Sequence, residues 1–198
     1  MPLFQVSHAE QLDKDWYGMV YGGYLESMFA GVGGEVLFRP TGERWSVGAD
    51  LNWVRQRDFD QGFALRDYSV VTGHVTAYTD LPFDTLAAVS VGRYLAGDWG
   101  GTLDISREFF NGVRFGAWAT ITTAGSAEYG EGSFDKGIYL SIPFDEMMSL
   151  STMRRANIVW APLTRDGGAR LNRAYSLQSM TDSRDSDLFY RNFEKITH

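Results

Sequence analysis

The residues able to do chemistry are few, and their spacing is uninformative for catalysis. Three histidines, His8, His74 and His198, occur in 198 residues, and none falls into a metal-ligand spacing. Cysteine is absent, which removes disulfides, zinc thiolates, iron–sulfur ligation and a thiol nucleophile together. Ser-His-Asp catalysis would have to use His74, yet no Gly-x-Ser-x-Gly elbow is present. Asp104 and Glu108 lie on one face of an extended segment and resemble a glycosidase pair. Arg114 stands opposite Glu108 in the pairing argued below, and a charge ladder is the simpler account. The acidic stretch 128–135 offers oxygens to calcium but lacks EF-hand spacing. Arg165 and Asp166 precede Gly167-Gly168 and read as a tight turn, with contact to a sugar or partner as the alternative. Tyr94 and Trp118 could stack on sugar rings, with simple packing as the alternative. The expectation is a non-enzymatic protein with no catalytic residue, metal or cofactor.

The elements that position these residues are strands. Period-two alternation recurs along the chain, most clearly in 45–54. There Trp45, Val47, Ala49, Leu51 and Trp53 alternate with Ser46, Gly48, Asp50 and Asn52. Noisier copies at 17–26, 28–39, 67–78, 86–96, 99–109, 113–123, 137–143, 155–163 and 171–180 bring the expected total to about ten strands. Most are near the length of a tilted membrane-spanning strand. Helical periodicity is confined to the tail 181–198, where 186–196 has room for about two turns.

The segment around Asn111-Gly112 fixes a register. A two-residue turn there would put Glu108, Ser106 and Asp104 on the face of Phe115, Ala117 and Ala119, scrambling the alternation. A three-residue loop, Phe110-Asn111-Gly112 with Gly112 left-handed, separates the faces, because a one-residue slip exchanges them. Asp104, Ser106 and Glu108 then join Arg114, Gly116 and Trp118 on a polar face, with Glu108 across from Arg114. The same logic places a three-residue loop at Gly97-Asp98-Trp99 and puts Tyr94 on the polar face, making Asp98 and Trp99 turn or contact residues. Arg93 and Arg107 violate the apolar face near strand ends, where long side chains can snorkel.

An apolar face needs a second sheet or lipid. In a membrane barrel the polar face lines the lumen and aromatics form girdles, as Trp45 and Trp53 do at opposite ends of one apolar face. The expected lumen residues are therefore Asp50, Asn52, Tyr94, Asp104, Glu108, Arg114 and Trp118. The fold expected is one all-β domain over 1–198: an antiparallel up-and-down transmembrane barrel, or part of a larger barrel wall. The alternative is a soluble β-sandwich that binds carbohydrate. A chain of 18 Lys plus Arg against 25 Asp plus Glu, net −7, with 29 aromatics (13 Phe, 10 Tyr, 6 Trp), is neither a nucleic-acid binder nor disordered. Its first ten residues have neither the basic start nor the apolar stretch of a signal peptide.

Three strings go beyond pattern: VGRYLAGDWGGTLDISREFFNGVRFGAWATITTA (91–124), GEGSFDKGIYLSIPFD (130–145) and WAPLTRDGGARLNR (160–173). They resemble the C-terminal portion of the YjbH family of exopolysaccharide and capsule biosynthesis proteins, which includes the GfcD group. The resemblance implies a Gram-negative outer-membrane protein of β-barrel structure. It also implies partners: the polysaccharide, outer-membrane lipid, other polysaccharide secretion components and a missing N-terminal part of a longer chain. It brings no catalytic residue.

Overall fold

The computed structural model describes residues 4–60, 62–124, 134–144, 155–161 and 167–181. Ten antiparallel strands form one sheet in strict sequence order. They are β1 Phe4–Asp13, β2 Trp16–Tyr24, β3 Phe29–Phe38, β4 Trp45–Arg57, β5 Leu65–Leu81, β6 Thr85–Arg93, β7 Trp99–Glu108, β8 Arg114–Thr122, β9 Asp135–Pro143 and β10 Arg155–Trp160. The up-and-down order is as expected. The sheet is open: β1 and β10 are its two edges and do not pair. The sandwich expected as the alternative does not form among the described residues, since all ten strands share one sheet.

Two expected elements differ. β1 was not anticipated, because Ser7, His8, Glu10 and Gln11 make both of its faces polar and erase the period-two signal. The strand expected at 171–180 is instead an irregular stretch that ends in a short helix, α1 Leu177–Thr181. Its polar groups bond across the face of the sheet rather than along a ladder. Ser176 begins α1 as an N-cap: its hydroxyl accepts the Ser179 N–H at 3.3 Å. The helix expected at 186–196 lies outside the described residues.

The β7–β8 hairpin has the three-residue loop. Phe109 N–H donates to Val113 O at 2.8 Å, Gly112 has φ +74°, and Glu108 pairs with Arg114. The β6–β7 turn is a correction. Its three loop residues are Leu95, Ala96 and Gly97, with Tyr94 N–H on Asp98 O at 2.9 Å and Arg93 paired with Trp99. The left-handed Gly97, φ +86°, sits at the third position, as Gly112 does in its loop. The error spans an even number of residues, so the faces survive while every partner changes.

Burial is inverted relative to a water-soluble sheet. Leu51, Trp53, Val75, Val91, Ile105 and Ile121 are exposed, whereas Asn52, Thr72, His74, Thr76, Ser90, Thr102 and Thr120 are buried. On the outer face, Trp16, Phe38 and Trp45 form an aromatic row across β2–β4, with ring centroids 4.9 and 5.8 Å apart. Trp53, Trp99 and Trp160 stand exposed toward the opposite strand ends. Arg107 places its guanidinium 5.3 Å from the Phe109 ring centroid, and Arg93 turns its Nε to Gly97 O at 3.1 Å, which is how the two arginines near strand ends are accommodated.

Candidate functional site

The polar face is held together by hydrogen bonds between facing side chains. Register aligns Thr76, Ser90, Thr102 and Thr120 in one row across β5–β8. Within it, Thr76 and Ser90 hydroxyls lie 2.9 Å apart, and those of Thr102 and Thr120 lie 2.7 Å apart. Tyr94 is fully buried, with its hydroxyl 2.6 Å from Thr102 Oγ1 and its ring edge-on to His74 at 4.7 Å.

A segment of the chain itself lies on this face. Residues 168–181 begin at the turn end of β6–β7, where Gly168 N–H donates to Asp98 Oδ2 at 2.9 Å and Leu95 N–H to Ala169 O at 3.0 Å. Asn172 N–H donates to Glu26 Oε2 at 2.9 Å; burial pushes the Glu26 carboxyl up from its usual range, an effect this bond opposes. The segment finishes at the other end of the strands. There Gln178 Oε1 accepts from Ser46 Oγ at 2.8 Å, and Arg39 Nη1 donates to Thr181 Oγ1 at 3.0 Å.

Midway, register sets Glu35 against Asp50, two like charges that repel when directly opposed. Two arginines of the segment answer them. Arg173 Nη1 lies 2.8 Å from Glu35 Oε2 and donates to Tyr21 Oη at 2.8 Å. Arg170 Nη2 lies 4.0 Å from Asp50 Oδ1, and its Nη1 donates to Ser90 Oγ at 2.9 Å. Leu177 N–H adds a bond to Glu35 Oε1 at 3.2 Å, and Tyr21 donates to Asn52 Oδ1. An apolar cluster beneath, including Leu37, Tyr17, Val54 and Leu95, receives Leu177. The face is therefore covered by an internal strap that is bonded at both ends and in the middle.

The expected residues fall as follows. Asp50, Asn52 and Tyr94 are under or beside the strap. Asp104, Glu108, Arg114 and Trp118 share the polar face of β7–β8 away from the strap's described bonds. Glu108 Oε2 accepts from Arg114 Nη2 at 2.8 Å. Asp98 fixes the start of the strap, whereas Trp99 is an exposed outward side chain rather than a contact at the turn. Arg165 and Asp166 lie outside the described residues, as does the acidic stretch through residue 133. Sequence reasoning missed Glu35, Tyr21, Arg170, Arg173 and Tyr139, and it weighed Asp135 only as the end of the acidic stretch, whereas its carboxylate accepts from Trp118 Nε1. Glu35 carried one usable signal, a lone carboxylate in an otherwise apolar or glycine-rich strand. Among the described residues, no three His, Asp or Glu side chains are grouped to hold a metal.

The Glu108–Arg114 pair is only partly buried at the strand ends, so its coupling should be modest. Glu108→Gln and Arg114→Gln should each destabilise slightly, and a double-mutant cycle in urea should give a coupling of roughly 0.2–1 kcal/mol. Additive losses would mean the pair contributes nothing.

An antiparallel meander with its apolar side chains outward and a strapped polar face defines an all-β protein of inverted burial. Residues 1–183 match the family described as exopolysaccharide biosynthesis protein YbjH, and the chain belongs to this YjbH family of exopolysaccharide biosynthesis proteins. It is 50% identical over 185 residues to the uncharacterized lipoprotein YjbH of Escherichia coli (strain K12), an alignment covering 91% of this chain and 26% of that relative. The chain thus spans about a quarter of the length of the curated relative it matches. No solved structure matches it.

Proposed function

We propose that the chain is a non-enzymatic segment of an outer-membrane β-barrel wall serving export or surface assembly of an exopolysaccharide or capsule. The observation that supports this reading is the inverted burial. Each Å² of apolar surface left in water costs about 25 cal/mol, and an outer face that exposes Leu51, Trp53, Val75, Val91, Ile105 and Ile121 is the kind of apolar surface that marks an interaction with a partner or a membrane. Lipid removes that cost. Trp45 and Trp53 stand eight residues apart on β4, about 26 Å along the strand. At the usual tilt of membrane strands that is roughly 20 Å in height, close to the apolar band between aromatic girdles.

The open edges shape the rest of the reading. Unpaired strand edges cannot lie in hydrocarbon, because their N–H and C=O groups would lack partners. β1 and β10 therefore need further strands, which the rest of a longer chain or another secretion component would supply. Ten strands closed on themselves leave too little space for a polysaccharide, and the strap narrows it further. A conduit requires the added strands. The lipoprotein relative supports a place in the Gram-negative cell envelope, and the net charge of −7 leaves nucleic acid out as a partner.

Carbonate washing of outer membranes tests the reading in the full-length protein. The protein should stay in the pellet and leave only with detergent. Release by carbonate alone would show that the outer face is covered by protein rather than lipid.

A further inference from the structure

Beyond the strap, the polar face carries an arrangement of rings that the strap's hydrogen bonds do not engage. Those described run to β2, β3, β4 and β6 and to the turns beside them. On β8 and β9, Trp118 and Tyr139 lie side by side with ring centroids 6.2 Å apart and planes 33° from parallel. Each ring lies across a glycine of the neighbouring strand. A Cβ on Gly137 would meet Trp118 at 2.2 Å, and one on Gly116 would meet Tyr139 at 2.3 Å. With no side chain on either glycine, the rings occupy the space a Cβ would fill and pack against the backbone of the neighbouring strand.

The polar tips of both rings are tied down. Trp118 Nε1 donates to Asp135 Oδ2 at 3.1 Å, and Tyr139 Oη donates to Asp104 Oδ1 at 2.9 Å. Each carboxylate keeps an oxygen beyond the one that takes the ring's hydrogen bond. Both rings and both carboxylates are only partly buried, so a ligand on this face can reach them. The Glu108–Arg114 pair continues the polar surface to the strand ends.

We infer that Trp118 and Tyr139 form a stacking platform for pyranose rings of a neutral saccharide, with Asp104 and Asp135 accepting hydrogen bonds from its hydroxyls. The inference rests on the proposed role in exopolysaccharide handling and names the surface that touches the chain being handled. The apolar C–H face of a pyranose fits a flat aromatic ring, and two rings held rigid before binding lose little conformational freedom when it arrives. Charge narrows the class. Arg114 and Arg155 at the strand ends and Arg170 of the strap offset part of the negative charge, but the carboxylates that hold the two rings are Asp104 and Asp135, so a uronic acid stacked there would meet like charge and be disfavoured.

The test uses detergent-solubilised full-length protein and two probes: oligosaccharides from partial hydrolysis of the exopolysaccharide secreted by the cells that carry it, and oligogalacturonate. Wild type should bind the neutral fragments of the first and reject the second. Trp118→Ala and Tyr139→Ala should each bind about tenfold more weakly, while Trp118→Phe and Tyr139→Phe, which keep the rings, should lose less. Unchanged outer-membrane location and unchanged unfolding on heating establish that the variants are folded. Alanine variants that fold and bind like wild type overturn the inference, as does wild type that prefers oligogalacturonate. Wild type that stays in carbonate-washed membranes yet binds no neutral fragment overturns the platform and leaves the wall intact. Release of the protein by carbonate overturns the wall itself.

Discussion

Arg173→Met should cost about 3–5 kcal/mol of stability, the usual penalty for removing one partner of a buried ion pair. Glu35 loses the Arg173 guanidinium at 2.8 Å while still facing Asp50 across the β3–β4 pair. The Glu35 and Arg173 side chains are 4% and 12% exposed, so water cannot replace what is lost. Equilibrium urea unfolding of the full-length protein in micelles measures the effect. Glu35→Gln placed on the same background should recover much of it, because the orphaned charge is then gone. An Arg173→Met variant within 1 kcal/mol of wild type, an error of the size expected for an exposed pair, would mean that the strap is loosely held.

If the outer face meets lipid as proposed, Ala117→Arg should be nearly as damaging, at about 2–4 kcal/mol for a cation near the bilayer midplane. Ala117 is exposed in mid-strand on β8, between Ile105 of β7 and Ile138 of β9. Ala117→Leu is the control, since a larger apolar side chain suits lipid and harms nothing on this face. Outer-membrane yield and heat-modifiable mobility on gels report both variants. If the arginine variant assembles normally and the leucine variant aggregates, the outer face meets water and the wall reading fails.

The polar face shows why substitution choices need the tertiary structure. By alternation, Gly116 looks like an open position able to take a large polar side chain. In the folded sheet the Tyr139 ring occupies the space its Cβ would need. Alternation reports which way a side chain points and nothing of what already stands there.

The amino-acid sequence by itself determined the two-faced strands from β2 to β10, the placing of Trp45 and Trp53 on the face opposite Asp50 and Asn52, and the β7–β8 register. Those features are local: period two is written in consecutive residues, and a glycine in a three-residue loop sets the pairing beside it. The family resemblance was legible for the same reason, in contiguous strings. Only the tertiary structure decided that the segment after Gly168 forms a strap rather than a strand, that Arg173 meets Glu35 across 138 positions of chain, and that Trp118 and Tyr139 share a platform. Contacts at that separation leave no period in the sequence. An arginine destined for a buried carboxylate looks the same, residue by residue, as one facing water, and the energy that separates the two comes from desolvation, which exists only once the face is covered.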